Sequence, residues 1–359
     1  MKFKGSPSFS HRQQDKIGVM ITNLGTPEAP TKRALRRYLK EFLSDPRVVE
    51  FPRLFWWLIL NGIILRIRPR RSAKAYQSVW SEQGSPLMVH TRNQAAALRA
   101  QLQADGGEDI VVEFAMRYGS PSIRSVLDRM LEEGVRKLLV LPLYPQYSAS
   151  TTASTFDAIA EDFRSRRSLP EFRFISHYHD FEPFINAAAD HIQRHWDVHG
   201  RAEKLIFSYH GIPVRYLYSG DPYHCECYKT SRLLAEALKL SEGEYLTAFQ
   251  SRFGREEWLK PYTDETLKAL PGQGCKSVQI FCPGFSADCL ETIEEIGVEN
   301  KNCFLEAGGE RYEYIGALNA EPEHIAALAE LIRRNLQGWS VEADGERRER
   351  LAKQLGATF

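Results

Sequence analysis

The sequence predicts an α/β protein made of two duplicated halves, each organised around a parallel sheet. Apolar runs of strand length alternate with amphipathic stretches, as parallel strands joined by crossover helices require. Three segments also recur in the same order: VMITNLGTP with LIFSYHGIP, FAMRYGSP with FQSRFGRE, and LYPQYSAS with FCPGFSAD. Finally, 359 residues at 43% apolar content can bury substantial cores and favour two domains.

The predicted strands are, in order, IGVMITN, DIVVEFAM, KLLVLPLY and FRFISHY, then KLIFSYH, EYLTAFQ and SVQIFCP. Helices are predicted for PTKRALRRYLKEFL, PSIRSVLDRMLEEG, KTSRLLAEALKL and EHIAALAELIRRNL. The resulting division is residues 1–175, residues 176–340 and a polar, charged tail at 341–359. The stretch from Gly25 to Gly119 is much longer than its counterpart from Gly211 to Gly254, so the first half carries an insertion, centred on about 45–80.

Forty-seven basic against 46 acidic residues leave a net charge of +1, without the basic excess of a nucleic-acid footprint. The opening MKFKGSPSFSHRQQDK has no apolar core, so it does not read as a secretory signal, and a cytoplasmic location, peripheral to the membrane, is expected. The six cysteines, all in the second half, are then expected to be reduced rather than a disulfide framework.

Within the insertion, LFWWLILNGIILRI begins at Leu54 and ends at Ile67, followed by Arg68, Arg70 and Arg71. It falls short of the roughly 20 apolar residues that span a bilayer. A buried core helix is one reading. The other is an apolar lip that enters a membrane interface or meets an apolar substrate, with the arginines near lipid headgroups; placement in an insertion favours the lip.

Near the C-terminus, FCPGFSADCLETIEEI sets Asp288, Glu291 and Glu295 at i, i+3 and i+7, which on an α-helix gives three carboxylates along one face. KLIFSYH ends at His210, which a parallel sheet leaves at a carboxyl-terminal strand edge. Histidine facing acids suggests a divalent-cation site, a proton-removal site, or both. The acids also fit a capping box and the helix dipole, and a solitary histidine after a strand is more often structural.

The motifs NLGTPEAP at 23–30, MRYGSPSI at 116–123, LYPQYSASTTAS at 143–154, SYHGIP at 208–213, GDPYH at 220–224, FQSRFGREEWLKPYTDET at 249–266 and PGFSADCLETIEEI at 283–296 resemble, in order and spacing, those of the ferrochelatases. These enzymes are lyases (metal chelatases) that insert ferrous iron into a porphyrin to make haem. The resemblance covers nearly the whole chain. It implies two similar Rossmann-like domains, each a four-stranded parallel sheet flanked by helices, with the active cleft between them.

Carried over by position, the resemblance makes His210 the active-site histidine and Glu291 the facing glutamate of the iron site, with Asp288 and Glu295 as further acids. It places Leu24, Arg117, Tyr118, Tyr144, Ser148, Trp258 and Phe285 around the porphyrin; Arg117 either binds a propionate or orients another pocket group. The implied reaction consumes Fe(II) and protoporphyrin IX and releases two protons, at the inner face of the membrane, by a protein expected to be monomeric.

Some ferrochelatases carry a 2Fe-2S cluster. Here the ligand position of the animal-like arrangement after the PQYS motif is Ala149, and no cysteine follows Cys303, so that arrangement is absent. Cys225, Cys227, Cys275 and Cys282 form an alternative set of four thiols. Two other functions stay open, a chelatase for coproporphyrin or another tetrapyrrole, and a non-enzymatic carrier. The apolar insertion argues for protoporphyrin IX, because two extra propionates match an apolar lip poorly.

Overall fold

The structure, a computed structural model, describes residues 3–5, 10–104, 106, 109–254, 256–340 and 344–357. Its first sheet joins β1 (Lys16–Gly25), β2 (Ile110–Tyr118), β3 (Val135–Pro142) and β4 (Glu171–Phe174), all parallel, in the order β2-β1-β3-β4. The second joins β5 (Lys204–His210), β6 (Tyr245–Gln250), β7 (Ser277–Phe281) and β8 (Arg311–Ile315) in the order β6-β5-β7-β8. The two orders are the same, as the repeated motifs predict.

Central strands are largely apolar and buried because both faces are covered. In β1, Val19 and Ile21 enter one core cluster while Met20, between them, enters the cluster on the opposite face. Two strand expectations need correction. FRFISHY leaves the sheet after Phe174, so its Ile-Ser-His-Tyr end belongs to a loop. RYEYI forms β8, which an apolar-run criterion misses because Arg311 and Glu313 interrupt a short edge strand.

Around the first sheet lie α1 (Lys32–Ser44), α2 (Arg53–Ile59), α3 (Leu65–Val79), α4 (Pro86–Ala104), α5 (Ile123–Glu132) and α6 (Ser154–Phe163). The Thr31 hydroxyl caps α1 by accepting from the Ala34 N–H, and Ser122 caps α5 in the same way through Ser125. The second half adds α7 (Glu182–His199), α8 (Val214–Tyr218), α9 (Tyr223–Ala237), α10 (Thr263–Ala269), α11 (Lys301–Glu306) and α12 (Pro322–Leu336). Helix α12 crosses back to pack on α4 and β3. Within the charged tail, α13 (Gly345–Gln354) is held by Arg348 against Asp15 at 2.8 Å; residues 341–343 and 358–359 lie outside the described residues.

The inserted helix resolves the two readings of the apolar run by face. Trp56, Leu60 and Leu65 are buried against Leu35, Leu39 and Leu43, and the Trp56 indole donates to the Leu43 carbonyl at 2.6 Å. Leu54, Trp57 and Ile67 are 72%, 59% and 69% exposed, with Phe55, Leu58 and Ile63 also open to solvent. No helix among the described residues is long and apolar enough to cross a membrane. The expected headgroup role of Arg68 is corrected: its guanidinium lies over the Phe253 ring at 4.7 Å and within reach of the Glu291 charge, while Arg70 and Arg71 stay exposed.

The alternative iron-sulfur set does not fit. Cys275 precedes β7 and Cys282 follows it, so an extended strand separates them by roughly 20 Å, beyond the reach of one cluster. Cys225 is exposed on α9, whereas Cys227 is buried, its thiol pushed well up by burial. No cysteine belongs to a metal-competent group among the described residues.

Candidate active site

In each sheet the strand order reverses at the central pair, β1 beside β3 and β5 beside β7, and this is where open α/β sheets hold ligands beyond their carboxyl ends. Leu24 lies at the end of β1 and Tyr144 follows β3. His210 ends β5 and Phe285 follows β7. Gly25 must be glycine: its φ is +112°, and a Cβ would sit 1.8 Å from the Tyr118 carbonyl oxygen.

His210 is partly buried. Its Nδ1 lies 2.7 Å from the Gly211 carbonyl, an acceptor, so Nδ1 carries the hydrogen and the neutral ring keeps its lone pair on Nε2. The Trp258 ring stands 6.4 Å away, its indole donating to the Phe253 carbonyl at 2.8 Å. Gln250, opposite His210 in the β5–β6 register, donates to the Glu291 carbonyl at 3.1 Å and accepts from the Ser208 hydroxyl at 2.8 Å. This buried amide links the histidine strand to the glutamate segment. It lies in the FQSRFG motif, but the motif alone gave no sign of its role.

The Glu291 charge reaches Tyr38, Tyr76, Tyr144 and Arg68, all in the first half, and the segment that Glu291 begins packs on α3. Burial raises all three tyrosines well above their ordinary range, and Glu291 raises them further. The Tyr144 hydroxyl is buried with no hydrogen-bond partner among the described residues. Cys289 beside Glu291 stays a thiol: burial pushes it up, and the glutamate charge adds to this.

The expected acidic face does not form as spaced. Residues Glu291–Asn300 are π-helical, and i→i+5 bonding widens the turn beyond 3.6 residues, so Glu291, Glu295 and Glu299 align at intervals of four. Asp288 precedes this segment and is fully engaged. It accepts from Tyr314 Oη at 2.7 Å, Thr292 Oγ1 at 2.9 Å and Asn319 Nδ2 at 2.8 Å, which ties the segment's start to the loop after β8.

Glu295 accepts from Ser251 twice, from the N–H at 2.8 Å and the hydroxyl at 2.5 Å, with Ser251 held at φ +66°. Burial, opposed by these bonds and reinforced by Glu291 and Glu299, pushes its carboxyl up to about 7. A cavity of about 220 Å³, lined by Gln250, Ser251, Arg252, Glu295 and Glu299, opens beside it. Between pH 4.5 and 7 the folded state therefore holds more protons at this site than the unfolded chain, and stability falls as pH rises through that window. Glu295→Gln should flatten this slope and raise the urea midpoint at pH 8 relative to wild type; an unchanged pH dependence of the midpoint would contradict the assignment.

Arg117 and Tyr118 support the wall rather than opening onto it. Asp45 Oδ2 accepts from Arg117 Nη2 at 2.5 Å, Tyr118 Oη at 2.7 Å and Ser154 Oγ at 2.6 Å, and Arg117 Nε donates to the Ser154 carbonyl at 2.9 Å. Ser148 is likewise committed, donating to Asp221 Oδ2 at 3.1 Å. Leu24 packs with the insertion core, and Phe285 packs against the second-half core.

The family profile "Ferrochelatase" matches residues 16–336. The chain is 71% identical over 355 residues to a ferrochelatase of Idiomarina loihiensis, covering 99% of this chain and 98% of that one. It is 68% identical to a ferrochelatase of Pseudoalteromonas atlantica, covering 94% of each. Among solved structures, SirB from Bacillus subtilis with Fe3+ shares the fold at a TM-score of 0.50 and 14% identity, covering 90% of this chain and 96% of SirB.

Proposed function

This chain belongs to the ferrochelatase family, and from that premise we propose that it inserts Fe(II) into protoporphyrin IX, releasing two protons to give protohaem, the last step of haem biosynthesis. The observation that carries the reading is a partly buried imidazole at the end of β5, its Nδ1 held by the Gly211 carbonyl, on a strand linked through Gln250 to the segment that begins with Glu291.

Imidazole and carboxylate suit ferrous iron as a passing substrate, because neither holds it as a thiolate would, and Cys289 is kept protonated. His210 Nε2 accepts a pyrrole proton as iron enters. Glu295, poised near neutrality and bordering the cavity, suits onward release of protons. A cleft that holds the macrocycle puckered exposes its nitrogen lone pairs, so binding favours the transition state over the flat substrate. Anaerobic assays with Fe(II) and either protoporphyrin IX or coproporphyrin test the substrate. A higher kcat/KM for protoporphyrin is expected; a preference for coproporphyrin would move the chain to that chelatase class, and no metallation of either would leave a carrier.

The exposed face of the insertion supports peripheral membrane contact on the cytoplasmic side, delivering a sparingly soluble substrate to the cleft. Phe55, Trp57 and Leu58 are the residues to change, since Trp56 is core. Each gains at most about 1.5–3 kcal/mol if fully removed from water. Serine at all three should weaken liposome association and raise KM for protoporphyrin, with kcat changed less. Unaltered liposome binding would argue against the lip.

A further inference from the structure

Away from the cleft, the loop that ends FRFISHY brings two histidines against α9. His177 Nδ1 lies 3.1 Å from Glu226 Oε1, and His179 Nδ1 lies 3.2 Å from Glu226 Oε2. The donor atoms of all three side chains fall within 4.8 Å of one another. The separations to the two carboxylate oxygens are close to the roughly 3.3 Å edge of a tetrahedron with metal bonds of about 2.0–2.1 Å.

A second observation points to a ligand. His179 has only 7% of its side chain exposed, and its buried Nδ1 makes no hydrogen bond of sound geometry while facing Glu226 Oε2 in an ion-pair contact. His179 Nε2 lies 3.9 Å from Asp180 Oδ2, a carboxylate that itself accepts from Lys229 Nζ at 2.5 Å. The His179 carbonyl accepts from Thr230 Oγ1 at 2.9 Å, which fixes the backbone. His177 is about half exposed, giving access from solvent and room for a fourth ligand.

We propose that His177, His179 and Glu226 form a second cation site, separate from the His210–Glu291 pair, for a first-row divalent ion of zinc type. Two imidazoles and one carboxylate suit such a borderline cation better than magnesium or calcium, which prefer all-oxygen shells. The site serves to fix the cleft wall. Glu226 also accepts from the Tyr147 N–H at 2.7 Å, and Gln146 donates to Thr230 at 3.0 Å, so an ion bound there locks the loop carrying Tyr144 and Ser148 to α9.

The test uses full-length protein stripped with chelator and titrated calorimetrically with Zn2+ alone at pH 7.5, in a Glu291→Gln background that disables the cleft pair. One equivalent of Zn2+ should bind and raise Tm. Adding His177→Ala, at a half-exposed position, should weaken that binding by more than about 100-fold, above the range for losing only a supporting group, and abolish the Tm shift. His179→Gln, with folding checked by circular dichroism, should do the same. Zn2+ binding of unchanged affinity in either variant, or no binding in the Glu291→Gln background, would overturn the site.

Discussion

Replacing His210 by alanine or Glu291 by glutamine is expected to lower kcat for metal insertion by about 10²- to 10⁴-fold, the range for removing a positioned acid or base. Neither change should unfold the protein. Among the described residues the His210 ring bonds the neighbouring Gly211 carbonyl, and glutamine keeps the volume of Glu291 while the Gln250 contact goes to the backbone. Porphyrin affinity should survive, because the aromatic walls come from other elements. The expected pattern is therefore native circular dichroism, porphyrin fluorescence quenching near wild type, and turnover almost gone. Wild-type turnover in either folded variant would remove that residue from the chemistry.

The second large effect concerns stability. Asp45→Ala removes the acceptor shared by Arg117, Tyr118 and Ser154, as well as the oxygen that takes the Arg47 N–H at 2.7 Å. It leaves a guanidinium only 18% exposed without its counter-ion. Breaking a buried pair from one side costs about 3–5 kcal/mol, and the lower end applies because Arg117 keeps its bonds to Ser154. Burial alone would raise the Asp45 carboxyl, but Ser154, Tyr118, the Arg47 N–H and the Arg117 charge together hold it below its ordinary value. Its stabilisation is thus fully present above the unfolded value of about 4 and is lost as pH falls through the folded one. Urea denaturation should show a wide gap between wild type and Asp45→Ala at pH 7 that narrows in acid; equal midpoints at pH 7 would show that Asp45 does not anchor this wall.

What the sequence revealed follows from what local pattern encodes. The central strands were legible because burial on both faces leaves a continuous apolar run, and the duplication was legible because equivalent strand ends keep equivalent turns. β8 was not, since a short edge strand with alternating charge carries no such run. His210 and Glu291 stood out through their motifs and their place at strand ends. The acid spacing misled because it assumed 3.6 residues per turn, whereas the segment is π-helical and Asp288 lies outside it. Asp45 was invisible: an aspartate before Pro46 looks like an ordinary turn, and only the packing of β2 and α6 around it makes it a buried acceptor. The insertion was ambiguous because one apolar run serves two faces, a core side at Trp56 and an open side at Trp57.

The most direct test of the central claim is an anaerobic single turnover, with Fe(II) mixed into protein preloaded with one equivalent of protoporphyrin IX. Absorbance follows loss of the free base, and a pH indicator follows proton release. Wild type should convert the porphyrin to haem with about two protons released per macrocycle, while Glu291→Gln should retain the free-base spectrum over the same time. Conversion by Glu291→Gln at the wild-type rate would contradict the account.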